Sequence, residues 1–421
     1  MKITFSLHKY YFKMKMKLKH IISTFNSSQL FFSMGKKCLK VALFILFSTL
    51  VAFFCFYKLS TPSLERWDEH TNYKVVEESL RSTDPLELKY EGEPFLEKTP
   101  LWYWASMVSV QIFGLNNFSI RFISAISGSA VILLTFYIGW KMFSYKAGLI
   151  SGMVLLATRQ LFVKHTEIFA THTFRSANLD SLQILFMLIT FILFYKFYKN
   201  KRCLGYLFAA GISTGLGFLT KGPLSLVPPI VFFTFLTTNR NSLKLKPFQI
   251  MRFFTLHFSL FIIVTLPWHI WMFVINGNEF VTQYFIYHIL GRGLTALEGH
   301  QESVFYYVKL LFRKDFFFSG EILLASVIFL ILKYKRKIFV DFSLLSCLAV
   351  CCLLLLTVSL AQTKLAWYLL PIYPFAALLI GKFFHDIWNV KNKLLRIIVI
   401  SIVILTLGSQ TFSNLYIILQ L

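Results

Sequence analysis

The sequence predicts an all-α polytopic membrane protein, and three observations carry that prediction. Of the 421 residues, 56% are apolar and only 15% charged, where a soluble domain carries about 25% charged residues. The mean hydropathy is +0.64, so a water-soluble fold would strand too much apolar surface. Apolar runs long enough to cross a bilayer, about 20 residues each, recur along almost the whole chain. A secreted disulfide scaffold, a soluble nucleotide-binding enzyme and a disordered chain are excluded on these grounds.

Taken in order, eleven spans are expected, at 39–57, 122–140, 147–163, 180–198, 204–220, 223–239, 253–275, 319–332, 340–360, 365–384 and 397–415. The run at 319–332 is short, and 397–415 is diluted from Gly408 to Asn414. The net charge of +24 suits the excess of Lys and Arg that collects in cytoplasmic loops. With the N-terminus inside, the N-terminal stretch and the five inner loops hold 27 of the 43 basic residues. Residues 1–38 then read as a basic cytoplasmic tail, with Met34 an alternative start to Met1. Residues 39–421 read as one integrated membrane domain with long outer loops at 58–121 and 276–318. The six cysteines lie in or beside apolar runs and show no disulfide or zinc spacing; small buried hydrophobes is their simplest reading.

The first outer loop holds ten of the nineteen acids. Leu64, Trp67, Thr71, Val75 and Leu80 fall at near-helical spacing, which predicts an amphipathic helix over 63–81 lying on the membrane surface. Asp84-Pro85 breaks it. Alternation up to Tyr90 followed by Glu91-Gly92 reads as a short strand and turn, and a second apolar helix is expected to run to about Phe113. Two acidic pairings stand out, Asp68-Glu69 and Glu97-Lys98. Acids just outside a membrane are most simply solvated. A carboxylate there can instead take a proton from an attacking hydroxyl, or hold a metal with other oxygens and a His. A lysine can neutralise a phosphate as a point charge.

These residues carry a resemblance. Trp67-Asp68-Glu69, then Gly92-Glu-Pro-Phe-Leu-Glu-Lys-Thr-Pro-Leu-Trp-Tyr-Trp104, Phe113-Gly114 and Ile120-Arg121 are similar to the start of the polyprenyl-phosphate-dependent GT-C glycosyltransferases. The nearest groups are the lipid A aminoarabinose transferases and the protein O-mannosyltransferases. Thr99 stands where the first of two prolines is common there. The likeness continues through Phe174-Arg175-Ser176-Ala177-Asn178-Leu179-Asp180, Gly217 to Pro223, Leu266-Pro267-Trp268, Tyr287-His288-Ile289-Leu290-Gly291-Arg292, Ser359 to Leu365 and Tyr368 to Pro371. It covers about residues 60–385.

The resemblance implies a GT-C-like helical bundle with amphipathic helices in a large first extracytoplasmic loop. It implies transfer of a sugar from undecaprenyl or dolichyl phosphate to a lipid, glycan or protein acceptor outside the cytoplasm, in the bacterial plasma membrane, with inversion and no nucleic-acid partner. Asp68 is the expected base, with Glu69 beside it as a second catalytic carboxylate. Lys98, Arg175, Asp180, Lys221, Arg292 and Lys364 are expected to hold the lipid phosphate or the sugar. A divalent cation near Glu97 and His288 is the one cofactor the family suggests; a satisfied structural histidine is the simpler reading of His288. Snorkelling to the interface is the plain alternative for Lys221 and Lys364. A polytopic transporter or flippase of a lipid-linked sugar, and a non-catalytic assembly protein, are the competing functions.

Overall fold

The computed structural model describes residues 27–163, 172–200, 202–313 and 320–420. Most of the expected basic tail therefore lies outside the described residues. The chain divides into two compact units, Met1–Leu50 and Val51–Leu421. The first contains most of a helix, Ser27–Phe56. Everything below concerns the second.

Each of the eleven expected spans falls on a helix. Seven helices among the described residues are long and apolar enough to cross a membrane: Cys38–Phe56, Asn117–Met142, Asp180–Lys199, Pro247–Leu294, Phe342–Leu360, Ala366–Trp388 and Lys393–Gln420. Tyr145–Ala157 and Pro223–Thr238 are apolar but shorter, as is Gly320–Tyr334 with 15 residues. Leu204–Lys221 packs against both Asp180–Lys199 and Pro247–Phe280. Glycines make the second contact close: a Cβ at Gly211 would lie 2.6 Å from the His257 carbonyl, and one at Gly215 would lie 2.7 Å from Val264 Cβ. Small residues on such faces let helix backbones approach where lipid supplies no hydrophobic drive.

The 58–121 loop folds much as its pattern suggests. Its first helix runs Asp68–Arg81, with Asp68 and Glu69 in the first turn and Arg81 in the last, charges that suit the helix dipole. Glu69, Asn72, Val76 and Ser79 are buried, and their spacing of three and four puts them on one face. Lys89–Tyr90 pairs antiparallel with Glu93–Pro94. The turn between them has φ of 54° at Glu91 and 84° at Gly92, the doubly left-handed geometry that matches strand twist. The second helix, Leu101–Phe113, buries Trp102 and Tyr103 completely. Tyr103 donates to Asn72 Oδ1 at 2.6 Å, and Asn72 donates to the Ala177 carbonyl at 2.8 Å. The loop is thereby tied to the segment that leads into Asp180–Lys199.

The expected second loop, 276–318, is only partly a loop. Helix Pro247–Phe280 bends at Gly277, whose φ is 54°. It then continues as π-helical turns over Val281–Gly291 and a last turn, Arg292–Leu294. Phe280 and Tyr284 hold this extension by packing against Trp268. His288 and Arg292 consequently sit on a helix and not on a free loop.

Candidate active site

A cavity of about 340 Å³ opens where the first loop, the start of Asp180–Lys199, the end of Leu204–Lys221, the π-helical extension and the segment 357–371 converge. Asp68, Glu97, Lys98, Asp180, Lys221, His288 and Arg292 all line it, so residues spread over 225 positions of sequence meet in one place. Gly222, with φ of 95°, ends the Leu204–Lys221 helix at the cavity wall and leaves Lys221 on its last turn.

Most of the charges form one string. Lys98 Nζ lies 2.6 Å from Asp68 Oδ1, and His172 Nε2 lies 2.8 Å from Asp68 Oδ2. His172 Nδ1 lies 2.5 Å from Asp180 Oδ2, and Lys221 Nζ lies 2.5 Å from Asp180 Oδ1. The His172 ring stacks on Trp367, with centroids 4.2 Å apart and planes at 6°. The side chains of Asp68, Lys98 and Lys221 stay 30%, 22% and 21% exposed, so they face the void, while Asp180 is only 3% exposed. Arg292 is held more loosely, at 3.4 Å from the Tyr368 hydroxyl and 3.3 Å from Glu298. The Tyr284 hydroxyl, which lines the cavity, is buried and without a partner among the described residues.

Electrostatics follow from this string. Burial pushes the Asp68 carboxyl up, but the Lys98 charge and the His172 contact outweigh it and hold Asp68 well below the usual carboxylate range. Burial pulls the Lys98 ammonium down, and the Asp68 charge more than reverses that. Glu97 is pushed up by burial, against the pull of Lys98 and Arg292.

Three expected site residues lie elsewhere. Glu69, 2% exposed, does not line the cavity. Both its oxygens meet Arg121, at 2.8 and 2.9 Å, and it also accepts from the backbone N–H of Ala177 and of Glu65, each at 2.8 Å. A carboxylate so fully bonded holds the loop to the bundle and has no lone pair turned to the cavity. Arg175 donates to the carbonyls of Phe54 and Tyr57 at 2.7 and 2.6 Å, where it satisfies a helix C-terminus; burial draws its guanidinium down to about 10. Lys364 does the same for Phe342–Leu360, donating to Ser359 O at 3.0 Å and to Ala361 O. The sequence reading in turn passed over His172, which stands two residues before the Phe174-Arg175 motif. Its signal is a polar, titratable residue just ahead of Asp180.

Glu97 and His288 face each other across 3.8 Å. They give two donors, fewer than the three protein ligands of a typical catalytic zinc. Among the described residues no group of three His, Cys, Asp or Glu gathers to hold an ion, and no step below is routed through a metal.

Comparison with known proteins gives the same picture. The family model described as dolichyl-phosphate-mannose-protein mannosyltransferase matches residues 97–271. An uncharacterized protein of Aquifex aeolicus is 27% identical over 82% of this chain and 73% of its own length. The undecaprenyl phosphate-alpha-4-amino-4-deoxy-L-arabinose arabinosyl transferase of Aeromonas hydrophila is 26% identical over 61% of this chain, which spans only 45% of that relative. In fold, the chain is similar to the crystal structure of ArnT from Cupriavidus metallidurans bound to undecaprenyl phosphate. The TM-score is 0.67 and the identity 21%, over 81% of this chain and 59% of that one. These relatives favour the enzyme over the transporter or flippase. With the motifs in order, a helical membrane fold and a cationic cavity at their meeting point, the chain is a glycosyltransferase of the GT-C family.

Proposed function

We propose that this chain moves a sugar from a polyprenyl phosphate to a hydroxyl of a lipid, glycan or protein acceptor on the extracytoplasmic side of the membrane, with inversion at the anomeric carbon. The observation that carries this reading is the meeting of Asp68 with Lys98, Lys221 and Arg292 around one cavity. The acceptor oxygen attacks the anomeric carbon, the carbon–oxygen bond to phosphate breaks, and the phosphate leaves with the electron pair. The reacting carbon passes through an oxocarbenium-like state. Lys98, Lys221 and Arg292 are placed to stabilise the charge that grows on the leaving phosphate.

Asp68 takes the acceptor's proton. A carboxylate held so low is a weak base for a free alcohol. It suffices late in the reaction, when bond formation has made the attacking oxygen acidic. Lys98 couples the two roles: as it turns towards the phosphate it releases Asp68, whose basicity then rises.

One catalytic carboxylate and one phosphate leaving group fit direct displacement without a covalent enzyme intermediate. The test is transfer by the purified protein from a panel of undecaprenyl-phosphate sugars, run beside Asp68→Asn. Transfer by the wild type and none by the variant is expected; equal transfer by both removes Asp68 from the chemistry. For sidedness, cysteines placed at Glu87 and Ser242 should label from opposite faces of the membrane. Labelling from the same face ends that part of the reading.

A further inference from the structure

His172 has no place in the reaction as described, yet it is the geometric centre of the charge string. Its two ring nitrogens face two different carboxylates, Asp68 at 2.8 Å and Asp180 at 2.5 Å. Those acids come from distant parts of the chain, the first turn of Asp68–Arg81 and the first turn of Asp180–Lys199. An ionised carboxylate only accepts hydrogen bonds. For both contacts to be hydrogen bonds, both ring nitrogens must donate.

We propose that His172 is the built-in cation of this site, a positioning residue that bears a proton on each ring nitrogen and clamps the Asp68 and Asp180 carboxylates to one another. Three further observations agree. Positive and negative groups then alternate along the whole string, from Lys98 through Asp68, His172 and Asp180 to Lys221. The ring lies flat on Trp367 at 4.2 Å, a face that attracts a cation. The His172 side chain is only 6% exposed, so water does little to relieve the repulsion between the two acids. An imidazolium thus fills the space between paired carboxylates that a bridging metal ion otherwise takes, and Asp68 has its direction fixed by a side chain.

The kinetic arm of the test rests on the glycosyl-transfer reading. In the full-length protein, His172→Ala should lower kcat roughly 100-fold, the order expected when a reacting group is misplaced by about 1 Å. KM for the polyprenyl-phosphate sugar should change little, since Lys98, Lys221 and Arg292 remain. Added imidazole should restore part of the lost kcat, because it can refill the gap between the two acids. An unchanged kcat overturns the proposal, and so does a loss that imidazole does not relieve.

If the alanine variant fails to fold, His172→Gln takes its place. Glutamine can donate to one carboxylate but carries no charge, so wild-type turnover in this variant also overturns the proposal. A second measurement needs no turnover at all. In ¹⁵N-histidine-labelled wild type, assigned against His172→Gln, both ring nitrogens of His172 should show a directly bonded proton. A single protonated nitrogen refutes the clamp even if the wild type transfers sugar. Two protonated nitrogens beside no transfer from any donor would retire the glycosyl-transfer reading and leave the clamp standing.

Discussion

The Ala366–Trp388 helix carries a charge cluster at each end, and the two differ in what surrounds them. At one end Trp367, Tyr368 and Pro371 face the cavity. About 21 Å further along, at 1.5 Å per residue, Lys382 lies 2.6 Å from Asp386, with Lys333 at 3.3 Å from the same carboxylate and Tyr334 bonded to both Lys382 and Asp386. The ion pairs are of equal length at the two ends. At the cavity end, however, Asp68 and Lys98 keep 30% and 22% of their side chains exposed, while Lys382 and Asp386 keep 9% and 5%. Pair geometry therefore does not distinguish a reaction site from a latch between helices. An adjoining void does.

Mutations at the two ends should separate accordingly. The largest effect is expected at the cavity: Asp68→Asn should cut turnover by about 10²- to 10⁴-fold, the usual contribution of a positioned base, with the melting temperature in detergent little changed. The latch should respond the other way. Asp386→Ala strands Lys382, and a broken buried pair costs about 3–5 kcal/mol; the melting temperature should fall while turnover per folded molecule holds. Glu69→Gln belongs with the latch, because it strands the buried Arg121. If it abolishes turnover without loss of stability, the comparison fails, and the wrong carboxylate of the Asp68-Glu69 pair has been taken as the base.

Smaller effects test the cations. Arg292→Ala should lower kcat/KM for the lipid-phosphate donor by roughly 10- to 150-fold, the loss of one hydrogen bond to a charged group at about 1.5–3 kcal/mol. Unchanged kinetics would remove Arg292 from the phosphate site. The smallest expected effect is a shift in pH dependence. Asp68 is held low by Lys98 and His172, so it stays ionised through the mildly acidic range, and the wild type should keep its activity there. With Lys98→Met, burial is no longer opposed by that charge, and the acid limb of the activity should move to higher pH. The stability conferred by the pair has the matching sign: it is present above the unfolded carboxylate value near 3.9 and is lost as pH falls through the lower folded value. An acid limb at the same pH in both proteins would show that Lys98 does not set the ionisation of Asp68.

The sequence made the membrane helices legible because bilayer thickness imposes a length and a composition on each. It made Asp68, Lys98 and Lys221 legible because ionisable residues beside apolar spans are costly and therefore few. What it hid was which way each one points. Asp68 and Glu69 are neighbours of the same chemical type, but a helix turns about 100° between them, and that rotation sends one to the cavity and the other to Arg121. Arg175 and Lys364 look like phosphate ligands in a string of letters. Helix C-termini also need donors for their last carbonyls, and only the fold shows that these two were drawn there. His172 was hidden for the opposite reason, since a lone histidine acquires meaning only once Asp68 and Asp180 are brought to its two sides.

The low ionisation of Asp68 has a consequence for how a cycle ends. With His172 charged, four positive groups on the cavity wall, Lys98, His172, Lys221 and Arg292, face three carboxylates, Asp68, Glu97 and Asp180. A phosphodiester donor brings one negative charge and makes the loaded site neutral. Transfer moves the acceptor's proton to Asp68 and leaves a phosphate monoester, whose second ionisation lies near pH 6, so the site is neutral still. Asp68 does not keep that proton, because Lys98 and His172 favour its charged form. When the proton escapes to water, the site is left with one negative charge too many beside a doubly charged lipid phosphate. The spent carrier is then repelled where the fresh donor was matched, and proton loss from one carboxylate becomes the step that favours exchange of one for the other.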